Sequence, residues 1–113
     1  MHELSLAERL IDMIEEAGAR QGFRRVRHIY LEVGTLAGVE VESLRLGLSA
    51  AGCGSVADGA SIHITTPAGQ ARCLDCEAVV EISACYEPCP LCGRHSLNIC
   101  GGDRVILNYL EVE

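Results

Sequence analysis

The chain contains no lysine and no tryptophan, and in 113 residues it has one phenylalanine, three tyrosines and three prolines. Its cations are arginines, which together with the missing lysines number 9 against 16 acidic residues, for a net charge of −7. A phosphate backbone is neutralised by clustered cations, and single strands are gripped by aromatics interleaved with basic residues. This acidic, aromatic-poor sequence supplies neither, so nucleic acid is not an expected partner. The one dense basic spot, Arg24, Arg25 and Arg27, reads as a solvated turn and strand edge, with a docking patch for an acidic partner as the alternative. Long apolar runs are missing too: charges or glycines interrupt each stretch well before the roughly 18 residues of a membrane span. The amino terminus lacks the basic-then-apolar order of a secretory signal, and the expectation is a soluble, cytoplasmic protein without a membrane partner. The length suits one modest core, or one core with a small stapled module.

What the sequence has in quantity is cysteine, seven residues. An odd count in a chain with no export signal points to reduced thiols holding a metal, not to disulfides. Four of the seven are paired as Cys73-x2-Cys76 and, twelve residues later, Cys89-x2-Cys92, with Pro90 and Gly93 shaping the second turn. Two residues between thiolates let one tight turn present both sulfurs to a tetrahedral ion at about 2.3 Å, and two such turns complete four ligands. Four thiolates leave no open coordination position, so the expected zinc is structural and performs no chemistry. A thioredoxin-like redox role would need one C-x-x-C at a strand-to-helix junction, whereas here there are two in a segment without helical periodicity. Cys85 and His95 lie near enough in sequence to substitute for a ligand or tune the site, and otherwise read as local packing or surface residues. Cys53 and Cys100 fall outside the paired spacing and read as small buried hydrophobes.

The rest of the chain carries periodic patterns. Residues 5 to 20 place Leu6, Leu10, Met13 and Ala17 on one stripe, with Ala7, Ile11 and Ile14 beside it, as in an amphipathic helix. Ser5 and Glu8 fit a capping box, which would leave Met1, His2 and Glu3 just outside. Val26 to Val33 alternates like a half-buried strand, with Ile29, Leu31 and Val33 on one face and Val26, His28, Tyr30 and Glu32 on the other. After a turn at Gly34 to Gly38, Val41, Leu44, Leu48 and Ala51 recur at helical spacing, in a helix weakened by Gly47 and ended by Gly52 to Gly54. Ser61 to Thr66 and Val105 to Val112 alternate again, the latter with apolar residues on both faces. The expected fold class is α+β: a three-stranded sheet with two helices, plus an inserted zinc-ribbon-like module. Residues 1–67 and 103–113 would form the α+β domain and 68–102 the four-cysteine module, in which Val79 to Ser83 and Leu97 to Cys100 look β-like. That module buries too little to fold without a metal.

The first three residues offer a second metal site. The terminal amine of Met1, the His2 imidazole and the backbone nitrogens of His2 and Glu3 can close small chelate rings, and nitrogen ligands in a square plane suit Ni(II) or Cu(II). By composition alone the signal is weak, and His2 reads first as a solvent-exposed residue. Glu40 and Glu42 could add charge nearby, or simply be solvated.

Met1-His2-Glu3-Leu4-Ser5, Leu31-Glu32-Val33-Gly34 with Leu36, the two Cys pairs including Cys89-Pro90-Leu91-Cys92-Gly93, Gly102-Asp103 and Leu110-Glu111-Val112-Glu113 together resemble the HypA/HybF family of hydrogenase nickel-incorporation proteins. The resemblance spans nearly the whole chain. It implies a nickel metallochaperone that takes up Ni(II) at the amino terminus through His2, the Met1 amine and the backbone nitrogens of His2 and Glu3. The nickel would go to the large subunit of a [NiFe] hydrogenase, with a GTPase of the same maturation pathway as partner. Zinc on Cys73, Cys76, Cys89 and Cys92 would be structural, and the protein itself a monomer or weak homodimer. The departures are Arg72, where an aromatic residue is common, and the additional Cys53, Cys85 and Cys100. The rival expectation is a zinc-ribbon interaction module without nickel transfer. No Ser–His–Asp, Cys–His or open-site metal pattern stands out, and no enzymatic activity is expected.

Overall fold

The computed structural model describes residues 2–113, and Met1 lies outside the described residues. Two helices and six strands follow in the order α1 (His2–Gln21), β1 (Val26–Val33), α2 (Val41–Ala51), β2 (Ser61–Thr65), β3 (Gly69–Cys73), β4 (Val79–Ile82), β5 (Leu97–Gly101) and β6 (Val105–Val112). The strands form two three-stranded sheets, one ordered β2-β1-β6 and the other β4-β3-β5. The chain divides into two compact units, residues 1–31, 39–64 and 107–113 in one and residues 32–38 and 65–106 in the other.

In the first unit the apolar stripe of α1 is real but narrower than its sequence suggests. Ala7, Leu10, Ile11 and Ile14 are buried, whereas Met13 is 52% exposed at the margin. They share the core with Leu44 and Leu48 of α2 and with Val26, Ile29 and Leu31 of β1. Each such large aliphatic side chain contributes about 1.5–3 kcal/mol when fully removed from water. Gly47, expected only to weaken α2, is buried against α1. A Cβ at this position would stand 3.2 Å from the Ala7 Cβ and 3.7 Å from the Glu3 carbonyl oxygen. The missing side chain is what lets the first turns of α1 approach α2.

That approach corrects the expected start of α1. The helix begins at His2, not after Ser5, so Ser5 lies in the second turn and does not cap. Tertiary contact replaces the local capping box: the Glu3 carboxylate accepts the backbone N–H of Glu40 at 3.1 Å. Glu40 in turn caps α2, its carboxylate accepting the N–H groups of Ser43 and Glu42. At the far edge of the sheet, β6 is less covered than its two apolar faces suggest, with Ile106, Tyr109 and Val112 all more than two-fifths exposed.

The second unit is built on β3, a strand whose sequence Gly-Gln-Ala-Arg-Cys hides its alternation because its buried residues, Gly69, Ala71 and Cys73, are small. It pairs antiparallel with β4, Ala71 opposite Val80, and antiparallel with β5, Cys73 opposite Leu97, with a register shift between Gln70 and Ala71. Ala71, Cys73, Val80, Ile82 and Cys89 form its core, and Leu36, Ala78, Leu97 and Ile99 pack against them. Three chain segments cross tightly in this unit. The Gly34 N–H donates to the Arg104 carbonyl at 2.9 Å, the Leu36 N–H to the Gly102 carbonyl at 2.7 Å and the Thr35 N–H to the Pro67 carbonyl at 3.0 Å. A Cβ on Gly34 would fall 2.2 Å from the Gly102 carbonyl oxygen, so the crossing excludes even alanine.

Candidate metal centres

Each Cys pair lies on a turn of the same design. In the first, the Cys73 N–H donates to the Ala78 carbonyl and the Glu77 N–H donates back to the Cys73 carbonyl, both at 2.9 Å. In the second, the Cys89 N–H donates to the Arg94 carbonyl and the Gly93 N–H to the Cys89 carbonyl, both at 2.8 Å. Both turns close through a residue in the left-handed region, Glu77 at φ 64° and Gly93 at φ 78°. Glycine adopts that conformation freely, and a glutamate does so at a cost.

The turns face each other, and the four sulfurs of Cys73, Cys76, Cys89 and Cys92 all lie within 4.8 Å of one another. Cys73 and Cys92 are 3.6 Å apart, Cys76 and Cys89 3.8 Å. Sulfurs held at about 2.3 Å around a tetrahedral ion are about 3.8 Å apart, so the cluster suits zinc without rearrangement. Cys73 and Cys89 are buried while Cys76 and Cys92 are exposed. The surroundings divide the thiols: the Cys76 N–H, donating to the Cys73 sulfur at 3.4 Å, leads the causes that lower the Cys73 thiol to about 7. For Cys92 the Arg94 N–H also pulls downward, but desolvation and the neighbouring Cys73, Cys89 and Cys76 thiols outweigh it and hold the group up at about 11. Cys76 is likewise raised, because Cys73, desolvation and Cys89 outweigh the lowering by the Ala78 N–H. Metal-free thiols therefore give up their protons unequally, and a dication that replaces those protons removes the mutual repulsion.

Cys85 and His95 do not join the four-sulfur group. Cys53 and Cys100, expected to be buried, are exposed. The reason is position: Cys53 follows the last turn of α2, where its thiol bonds back to the Ser49 carbonyl at 3.4 Å, and Cys100 occupies an outward position of β5. Arg72 is also outward, on β3. Arg25 and Arg27 both pair with Glu113, at 3.0 and 3.8 Å, which partly neutralises the basic spot.

At the amino end, His2 occupies the first turn of α1 with its side chain 71% exposed, its Nε2 3.5 Å from the Glu3 carboxylate. The backbone N–H groups of a helix's first turn have no intrahelical acceptor, which leaves the His2 and Glu3 nitrogens outside the helical ladder. The Glu3 carboxyl is held below its ordinary value, first by the Glu40 N–H and then by its own. The acid Glu40 is thereby fixed beside Glu3, while Glu42 turns to Arg45 at 3.3 Å. The Met1 amine of the expected chelate lies outside the described residues.

The sequence profile of the family described as "Hydrogenase/urease nickel incorporation, metallochaperone, hypA" matches residues 1–112. The chain belongs to the HypA family. It is 46% identical to the hydrogenase maturation factor HypA of Azotobacter vinelandii over the full length of both chains. It is also 42% identical to that of Alkalilimnicola ehrlichii, again over both full lengths. The fold agrees with the solution structure of the nickel metallochaperone HypA from Helicobacter pylori, at a TM-score of 0.72 and 23% identity over 99% of this chain and 97% of that one. A second solution structure of a HypA protein gives 0.75 at 22% identity, over 100% and 97%. HypA is a metallochaperone family of hydrogenase maturation, so the chemistry to be explained at these sites is metal holding and transfer. No helix among the described residues is long and apolar enough to cross a membrane.

Proposed function

We propose that this protein carries Ni(II) at its amino terminus and delivers it to the large subunit of a [NiFe] hydrogenase, with a GTPase of the maturation pathway as its partner in the cytoplasm. The nickel ligands are the His2 imidazole, the Met1 amine and the backbone nitrogens of His2 and Glu3. Zinc on Cys73, Cys76, Cys89 and Cys92 is structural and staples the second unit. The observation that carries the reading is the Glu3–Glu40 hydrogen bond, which anchors the first turn of α1 against α2 while His2 stays exposed. An anchored turn with an exposed imidazole keeps the site together and leaves it open to a partner's ligands, which can replace its own stepwise. The family's description as nickel-incorporating supports the choice of metal.

Binding depends on deprotonated donors, so affinity for nickel falls as protons compete at the imidazole and amine. Cu(II) binds nitrogen donors more tightly than Ni(II), and selectivity must therefore come from metal supply and the partner, not from ligand type. Calorimetry on untagged, zinc-loaded protein with an intact Met1 tests the reading: the tightest nickel site should vanish in His2→Ala while zinc content and fold persist. Tight binding that survives His2→Ala, or that follows loss of the zinc cysteines, would leave a zinc-stapled interaction module without nickel transfer.

A further inference from the structure

The outer face of the β2-β1-β6 sheet carries a cluster that the amino-terminal and four-cysteine sites do not use. His28 on β1 and His63 on β2 point their ring nitrogens at each other, Nδ1 of His28 to Nε2 of His63, at 2.9 Å. The His63 ring stacks on Tyr30 with centroids 4.6 Å apart and planes 12° from parallel. Tyr30 stacks in turn on Tyr109 of β6 at 4.3 Å, and its hydroxyl donates to the Glu111 carboxylate. His63 thus packs at the end of a stack that spans all three strands.

We propose that His28 Nδ1 and His63 Nε2 form a second binding site for a late first-row divalent cation, nickel in particular. Imidazole nitrogens bind such ions at about 2.0–2.1 Å, and two of them in cis positions at a right angle are then about 2.9 Å apart, against about 3.3 Å at a tetrahedral angle. The 2.9 Å separation is that of the hydrogen bond in the free pair, and rotation of the two surface rings turns both lone pairs from each other toward a shared late first-row ion. In the metal-free pair one ring donates its proton to the other. On metal binding a proton on His28 Nδ1 moves to His28 Nε2, or one on His63 Nε2 to His63 Nδ1, so both facing nitrogens offer lone pairs and no proton is lost overall. Water fills the remaining positions, because both rings lie at the surface. The chain's net charge of −7 favours cation approach. The family's cargo decides which ion is tried first, and the site itself does not rest on the amino-terminal one.

The test titrates Ni(II) alone into zinc-loaded His2→Ala protein and follows the histidine side-chain nitrogens by NMR. One further nickel should bind, broadening the His28 and His63 ring signals first. In the His2→Ala background, His28→Ala and His63→Ala should each weaken that event at least about tenfold. His63→Gln decides between a ligand and a structural hydrogen bond: glutamine can still bond to His28 but offers no imidazole, so nickel binding should be lost with the fold intact. Absence of ring broadening up to about 1 mM nickel, or retention of binding in His63→Gln, overturns the proposal. Because these measurements are made without His2, a failure of the amino-terminal site appears separately, as tight binding unchanged between wild type and His2→Ala.

Discussion

The two Cys-pair turns close through different residues in the left-handed region, Glu77 and Gly93, and substituting them gives a quantitative test of how turn geometry sets zinc affinity. Gly93 has φ 78° and a Cβ added to it would meet nothing within 4 Å, so the whole penalty of Gly93→Ala is backbone strain. A left-handed non-glycine residue costs about 1–2 kcal/mol. Removing glycine's freedom from the unfolded chain returns about 0.4–1 kcal/mol, leaving a net loss of about 1 kcal/mol. Glu77 has the opposite arrangement, an exposed non-glycine side chain at φ 64°, and Glu77→Gly should gain about the same amount. Where folding and metal binding are one equilibrium, about 1 kcal/mol is roughly a fivefold change in dissociation constant. Competition with a chromophoric zinc chelator at neutral pH should show Gly93→Ala about fivefold weaker than wild type, Glu77→Gly about fivefold tighter, and the double variant close to wild type. Unchanged zinc affinity in Gly93→Ala, or weaker affinity in Glu77→Gly, would refute the coupling of these turns to the metal.

Gly102→Ala should destabilise the second unit by about 3 kcal/mol or more, since a φ of 70° coincides with an added Cβ only 2.2 Å from the Ala68 carbonyl oxygen; urea denaturation checks it. The Tyr30 phenol, held up to about 12 first by its bond to Glu111, then by desolvation, should ionise above the ordinary tyrosine value of 10.0, and Glu111→Gln should bring it down in an ultraviolet titration. Its folded-state value is raised, so its contribution to stability is complete below pH 10 and fades toward pH 12. Glu3 and Glu40 are shifted the other way, Glu3 first by the Glu40 N–H and Glu40 first by the Ser43 hydroxyl. Their contributions should hold above the ordinary carboxyl value of 4.5 and be lost as pH falls below it, with amide exchange rising first at the starts of α1 and α2.

Periodicity in the sequence determined both helices and the three strands of the first sheet, because each of these follows from which residues recur on one face over a few turns or pleats. The paired spacing of Cys73, Cys76, Cys89 and Cys92 likewise brought out the four-sulfur group, since two residues between thiolates suffice to shape a chelating turn. Tertiary structure decided what depends on neighbours distant in the chain. The start of α1 at His2 rests on Gly47 and on the Glu3–Glu40 bond across 37 residues, neither visible to a capping rule that looks four residues ahead. Strand β3 is recognisable only when its small alternate residues are seen packed between β4 and β5. Cys53 and Cys100 are outward because of where α2 ends and how β5 is pleated, not because of their residue type. His28 and His63, 35 residues apart, become neighbours only because β1 and β2 are paired. Local pattern encodes which face of an element is buried, but side chains from separate elements meet only when the chain has closed on itself.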